Sequence, residues 1–280
     1  MGFNLLCLES QLFKKMKNLT VSEIRFRDKP YVTGKAEEDL NLQYNLWGRF
    51  VLREVAYYLV WPFLKLGISA NLITSLGFLI GCVGCLLIAF GNHIGMIAGA
   101  LLVNFWALED YADGQVARWN NSSSNYGRFL DNLADTGMAA LLFVSLGVGV
   151  LNQPDPYLGF IIRAIFSIEP DRGLYLFLGA WASICYLYSL IIAYSFERLI
   201  SPKLVDFVSQ ITIKGTTRSL VQILGFNLQN VTGIVMPVLL LAAIFEFSSI
   251  VLGLWAVIGT VAAVFMGIQM LAKARADGSS

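Results

Sequence analysis

Six stretches of mostly apolar residues recur along the chain, near Asn71–Phe90, Ile94–Ala117, Arg128–Leu151, Leu174–Phe196, Thr232–Phe247 and Ile250–Leu271. About twenty residues is the length a helix needs to cross a hydrocarbon core roughly 30 Å thick. In lipid every backbone N–H and C=O must find its partner inside the segment, so such stretches become helices. The chain is 56% hydrophobic and 14% charged, with mean hydropathy +0.65, which excludes an ordinary soluble domain. The expected fold is all-α: a polytopic integral membrane protein with six transmembrane helices. The fifth stretch is only sixteen residues as drawn. Short polar or Gly-containing breaks separate the stretches. Residues 152–173 and 197–230 are expected as the long loops, the second with enough apolar residues for surface helices.

Residues 1–66 differ, holding ten of the twenty Lys and Arg. Met1–Leu12 is too polar for a cleavable signal peptide. Trp47–Leu64 mixes Arg49, Arg53 and Glu54 with Trp47, Phe50, Tyr57, Tyr58, Trp61 and Phe63, as suits an interfacial amphipathic helix. Its uninterrupted apolar run, Val55–Leu64, is too short to span, and Pro62 is expected to disturb a continuous helix. The organisation expected is a cytosolic segment and interfacial helix over 1–66, a six-helix catalytic domain over 67–276 and a tail over 277–280. With six spans, eighteen of the twenty Lys and Arg fall on one side, and only Arg163 and Arg172 on the other. Cytoplasmic segments are enriched in these residues, so both termini are expected in the cytoplasm.

Within this apolar chain four carboxylates cluster: Asp110, Asp113, Asp131 and Asp135. Each would cost roughly 2.5–3.5 kcal/mol at the bilayer centre, so they must face a polar cavity. Spacings of three and four put Asp110 beside Asp113 and Asp131 beside Asp135 on helical faces, and a hairpin can bring the pairs together. Ion pairs or helix caps are the plain alternative. Only Arg118 and Arg128 are nearby cations, however, so at least two carboxylates lack a local partner. A divalent cation fits the charge better, and carboxylates without Cys or His favour Mg²⁺ or Mn²⁺. Gly114 and Gly127 would let a phosphate approach the backbone, and Arg118, about 7 Å further along the helix, could bind another phosphate oxygen.

Other reactive residues offer little. His93, the only histidine, falls in a predicted loop opposite the aspartates and excludes any histidine-pair site. Cys82 and Cys85 lie mid-span without a second pair, so packing is their expected role. Cys7 and Cys185 are isolated. The Asn-x-Ser/Thr matches at Asn18, Asn120, Asn121 and Asn230 fall on predicted cytoplasmic segments and are read as chance.

The pattern Asp-x-x-Asp-Gly-x-x-Ala-Arg, eight residues, Gly-x-x-x-Asp-x-x-x-Asp resembles the signature of the CDP-alcohol phosphotransferase family at every fixed position. Eight such positions match by chance with probability on the order of 10⁻¹⁰ per starting point. The resemblance extends over roughly residues 45–275. It implies Mg²⁺- or Mn²⁺-dependent transfer of a phosphoalcohol group from a CDP-linked donor to an acceptor hydroxyl, with release of CMP, in phospholipid biosynthesis. By resemblance, Asp110, Asp113, Asp131 and Asp135 look like ligands to two metal ions, and Asp135 also like the general base. Gly114, Ala117, Arg118 and Gly127 look like the nucleotide and pyrophosphate pocket. Ser124, Asn71 and Thr74 resemble further donor contacts. Ala70 departs from the Pro that family members often carry before this Asn, which leaves the entry of the first span less rigid. A homodimer is likewise implied, and no nucleic-acid partner.

A cation transporter would also place aspartates in spans, but would not require Gly114, Ala117, Arg118 and Gly127 at these spacings. A non-catalytic scaffold need not keep all four aspartates. The signature does not distinguish a CDP-diacylglycerol donor from a CDP-aminoalcohol (choline or ethanolamine) acting on diacylglycerol. Thr136 stands where several relatives with phosphorylated acceptors have Arg or Lys, which favours CDP-diacylglycerol donating to a small unphosphorylated alcohol.

Overall fold

The computed structural model describes residues 19–35, 45–153, 156–199 and 231–277. Among these the chain is helical and forms no strand. The helices are α1 (Val21–Lys35), α2 (Arg53–Leu66, led in by a wider π-helical turn, Gly48–Leu52), α3 (Ala70–Phe90), α4 (His93–Trp119) and α5 (Asn125–Asn152). They continue with α6 (Pro156–Phe166), α7 (Gly173–Leu199), α8 (Met236–Ile244) and α9 (Ser248–Asp277). Cys7, Asn18, Asn230, most of the expected 197–230 loop and the tail residues 278–280 lie outside the described residues.

Four helical stretches, Ala70–Phe90, Asn125–Asn152, Gly173–Ile192 and Ser248–Ala272, are long and apolar enough to cross a membrane. The other two expected spans differ for separate reasons. Helix α4 has the length, 27 residues, but Glu109, Asp110, Asp113 and Arg118 make its second half polar. In the fifth stretch the apolar helical run is Thr232–Ile244, shorter than a bilayer crossing. Asn104, midway along α4, donates to the Met236 carbonyl at 3.0 Å, so α8 begins beside the middle of α4.

Small residues let the helices approach. A Cβ on Gly99 would lie 2.5 Å from the Gly84 carbonyl oxygen, which fixes the α3–α4 crossing. At the far end of α3, Gly91 closes the helix with φ 78° and presses on Gly149, whose carbonyl oxygen would lie 2.3 Å from an added Cβ. The core between the helices holds Val103, Ala107, Met138, Leu142, Leu146, Met236 and Leu252, all essentially inaccessible. Outside, Leu79, Leu86, Ile191, Val261, Phe265 and Ile268 are exposed. Apolar side chains facing outward over a packed interior are what a lipid environment permits.

Two local expectations are corrected. Residues 152–173 are not all loop, because Pro156–Phe166 forms α6. Proline is favoured at a first helical position, and Leu158 gives the segment an anchor, packing on the core while its N–H donates to Ser249 Oγ at 3.1 Å. Helix α2 also runs through Pro62 and ends at Gly67 with φ 67°. Proline removes one backbone bond there, but Ala56, Tyr57, Val60 and Leu64 keep the helix seated on both sides of it. His93, expected in a loop, is the first residue of α4, and its Nδ1 lies 3.0 Å from Glu246 Oε1. Cys82, Cys85 and Cys185 are free thiols, with Cys85 in the core.

Candidate active site

Helices α4 and α5 are joined by a tight turn and both pack on α3, which brings the two carboxylate pairs together as the spacing allows. The chain reverses through Asn120–Ser124, with Asn121 at φ 50°. Ser124 then caps α5, its Oγ accepting from the Gly127 N–H at 3.0 Å. Asp110 and Asp113 come from the last turns of α4, Asp131 and Asp135 from the first turns of α5. One carboxylate oxygen from each of Asp110, Asp113 and Asp131 lies within 4.8 Å of the other two. Asp135 stands beside this cluster, within hydrogen-bonding reach of Asp110. Its Oδ1 is buried without a hydrogen-bond partner.

The donor chemistry fits a hard divalent ion. Carboxylates this close repel one another, and burying them without a cation is costly. Nearby arginines engage other groups: Arg118 Nε donates to Asp28 at 2.8 Å, and Arg128 donates to Asn125. The clustered oxygens and the unsatisfied Asp135 Oδ1 suit Mg²⁺ or Mn²⁺, which take oxygen ligands.

Beside the carboxylates opens a cleft of about 520 Å³. Asp113 and Asp131 reach it together with Asn71, Thr74, Gly114, Ala117, Arg118, Ser124 and Gly127, so all seven sequence-derived donor positions line one cavity. Cβ atoms added at Gly114 and Gly127 would meet Arg118 Nη1 at 3.2 Å and Asn71 Oδ1 at 3.1 Å. Side chains there would narrow the space between these polar groups. Thr74 has a further task, since its hydroxyl donates to Asp113 Oδ2 and orients that carboxylate from α3. Ala70 does not prevent this entry, because Ser69 caps α3 by accepting from Leu72 N–H at 3.4 Å.

Sequence reasoning missed a group behind the cleft. Asp28 of α1 is buried and accepts from Arg118, from Arg53 Nη1 at 3.0 Å and from the Tyr57 hydroxyl at 2.9 Å. A signal was present in Thr20-Val-Ser-Glu23, a capping-box spelling that announces a helix. Thr20 Oγ1 indeed accepts from the Glu23 N–H at 3.3 Å. Ile24 and Asp28, four residues apart, form its buried side.

Comparisons with known proteins place this geometry. An uncharacterized protein of Aquifex aeolicus (strain VF5) is 37% identical over 91 residues, covering 32% of this chain and 45% of that protein. The chain thus spans less than half the length of the curated relative it matches. Among solved structures, Mycobacterium tuberculosis phosphatidylinositol phosphate synthase (PgsA1) in complex with manganese and citrate is similar at 20% identity and TM-score 0.47, covering 77% of this chain and 88% of that one. Residues 67–274 match the family CDP-alcohol phosphatidyltransferase, from before α3 to the last turn of α9. The chain belongs to the CDP-alcohol phosphatidyltransferase family.

Proposed function

We propose that this integral membrane protein transfers a phosphoalcohol group from a CDP-linked donor to an acceptor hydroxyl, releasing CMP. The observation that carries the proposal is the single cleft joining clustered carboxylates to Gly114, Arg118 and Gly127. Two ions held by Asp110, Asp113, Asp131 and Asp135 would neutralise charge on the donor pyrophosphate. The acceptor oxygen bonds the phosphorus that carries the donor alcohol. The bond from that phosphorus to the CMP oxygen breaks, and CMP leaves with the electron pair. Asp135 takes the acceptor's proton at its unengaged Oδ1. Arg118 offers charge-assisted donors to the phosphates, while Gly114 and Gly127 keep the approach open.

With six membrane passages, the reading of the hydropathy, the distribution of Lys and Arg favours a cytoplasmic site and cytoplasmic termini. The exposed Phe50, Tyr58 and Leu66 suit α2 and its lead-in turn to the headgroup layer. A site at that surface lets a lipid donor keep its acyl chains in the bilayer, so CDP-diacylglycerol is the favoured donor. Thr136 favours a small, unphosphorylated alcohol as acceptor, and assembly as a homodimer belongs to the same proposal. The test is CMP release by purified protein with Mg²⁺ and each donor in turn. Turnover of CDP-choline or CDP-ethanolamine but not CDP-diacylglycerol reverses the donor assignment, and release from none removes the proposed activity.

A further inference from the structure

We infer that Asp28, outside the family-matched residues, is a positioning residue that fixes the Arg118 guanidinium toward the donor phosphates. The inference rests on the phosphotransfer proposed above. The Asp28 side chain is only 5% exposed, between Arg53 and Arg118. Its two oxygens divide their work: Oδ1 accepts from Arg118 Nε, and Oδ2 accepts from Arg53 and Tyr57. A carboxylate on Nε, the nitrogen nearest the aliphatic stem, sets the plane of the guanidinium. Nη1 is the atom nearest the place where a Gly114 Cβ would stand, 3.2 Å away, and both residues line the cleft. An arginine on a long flexible stem loses rotamer freedom when it binds phosphate, and an ion pair made beforehand removes that loss from the binding step.

The surrounding contacts seat α1 on the bundle. Trp61 Nε1 donates to the Leu19 carbonyl at 2.7 Å, and the Arg27 guanidinium lies 4.5 Å from the Trp119 ring centroid. Leu19 and Ile24 are buried beneath α1. Burial, and next the charge of Asp28, push the Tyr57 hydroxyl up to about 12, so it stays protonated as a donor to the carboxylate. A purely structural clamp would use the same contacts to seat α1, so the experiment must separate seating from aim.

Steady-state CMP release is measured on full-length protein for wild type, Asp28→Asn, Arg118→Lys, the double variant and Trp61→Phe. Trp61→Phe deletes a seating bond without touching Arg118. We expect Asp28→Asn to raise the donor KM about tenfold, with a smaller change in kcat, and the double variant to be no worse than Arg118→Lys alone. Trp61→Phe should keep the wild-type KM. An unchanged donor KM in folded Asp28→Asn overturns the inference, as do losses that multiply in the double variant or an equal KM rise in Trp61→Phe. If Asp28→Asn does not fold, Asp28→Glu replaces it; this keeps the charge but shifts the carboxylate by one methylene, and a wild-type KM there is also fatal. Absence of CMP release by wild type with every donor removes the underlying activity instead.

Discussion

Thr74 donates its hydroxyl proton to Oδ2 of Asp113, tying the first turns of α3 to the carboxylate cluster at the end of α4. A metal ligand held by a hydrogen bond from another element keeps its orientation when the ion is absent, and such supporting groups commonly matter about 10–100-fold in affinity or rate. Thr74→Val keeps the shape and deletes the donor. Its Mg²⁺ requirement is expected to rise about tenfold, read from CMP release across a Mg²⁺ titration. An unchanged titration curve would mean that Asp113 needs no such support.

Asp135→Asn should fold and bind CMP as wild type does, because the amide has nearly the same volume. It should lose turnover by at least about 10²-fold, since an amide cannot accept the acceptor's proton. Wild-type kcat in the folded variant would remove Asp135 from the role of base.

Chelation should abolish CMP release, and Mg²⁺ or Mn²⁺ should restore it. Asp110→Ala and Asp131→Ala each remove one of the convergent oxygens and should lower affinity for the ion as well as rate. Full activity in excess EDTA would contradict the proposed site.

Gly127→Ala places a methyl group 3.1 Å from Asn71 Oδ1 at the wall of the cleft. Alanine favours the helix by up to about 1 kcal/mol over glycine, so thermal stability should hold or rise. The donor KM should increase several-fold. A more stable protein with unaltered KM would show that donor does not pass this wall.

Topology can be read by labelling single cysteines in sealed cells. His93→Cys, at the start of α4, should react with an impermeant maleimide added outside, and Ser123→Cys, in the α4–α5 turn, should not. The opposite pattern would invert the orientation derived from the charge count.

The spacing of Asp110, Asp113, Asp131 and Asp135 was enough to put each pair on one helix face, because three- and four-residue steps map directly onto a helix. Asn71, far from the motif in sequence, was joined to the pocket only through the family resemblance, and it lines the cleft beside Gly127. What sequence concealed depended on partners distant along the chain. Nothing near Asp28 announces that Arg118, Arg53 and Tyr57 surround it, since the pattern identifies a helix but not the surface on which it rests. Pro62 misled for a related reason: its local cost is offset by the packing of Val60 and Leu64, which a propensity argument does not contain. Residues 156–166 read as loop because prolines flank them, although a proline can open a helix as readily as it ends one.

The ion pair between Asp28 and Arg118 joins residues ninety positions apart. During synthesis, α1 leaves the ribosome before α3 and α4 exist, so its acidic anchor has no α4 arginine to meet. The pairing must wait until α4 has formed and delivered Arg118. Closing this contact is therefore a late step of assembly, and until Arg118 arrives α1 rests on α2 alone, through Arg53, Tyr57 and Trp61.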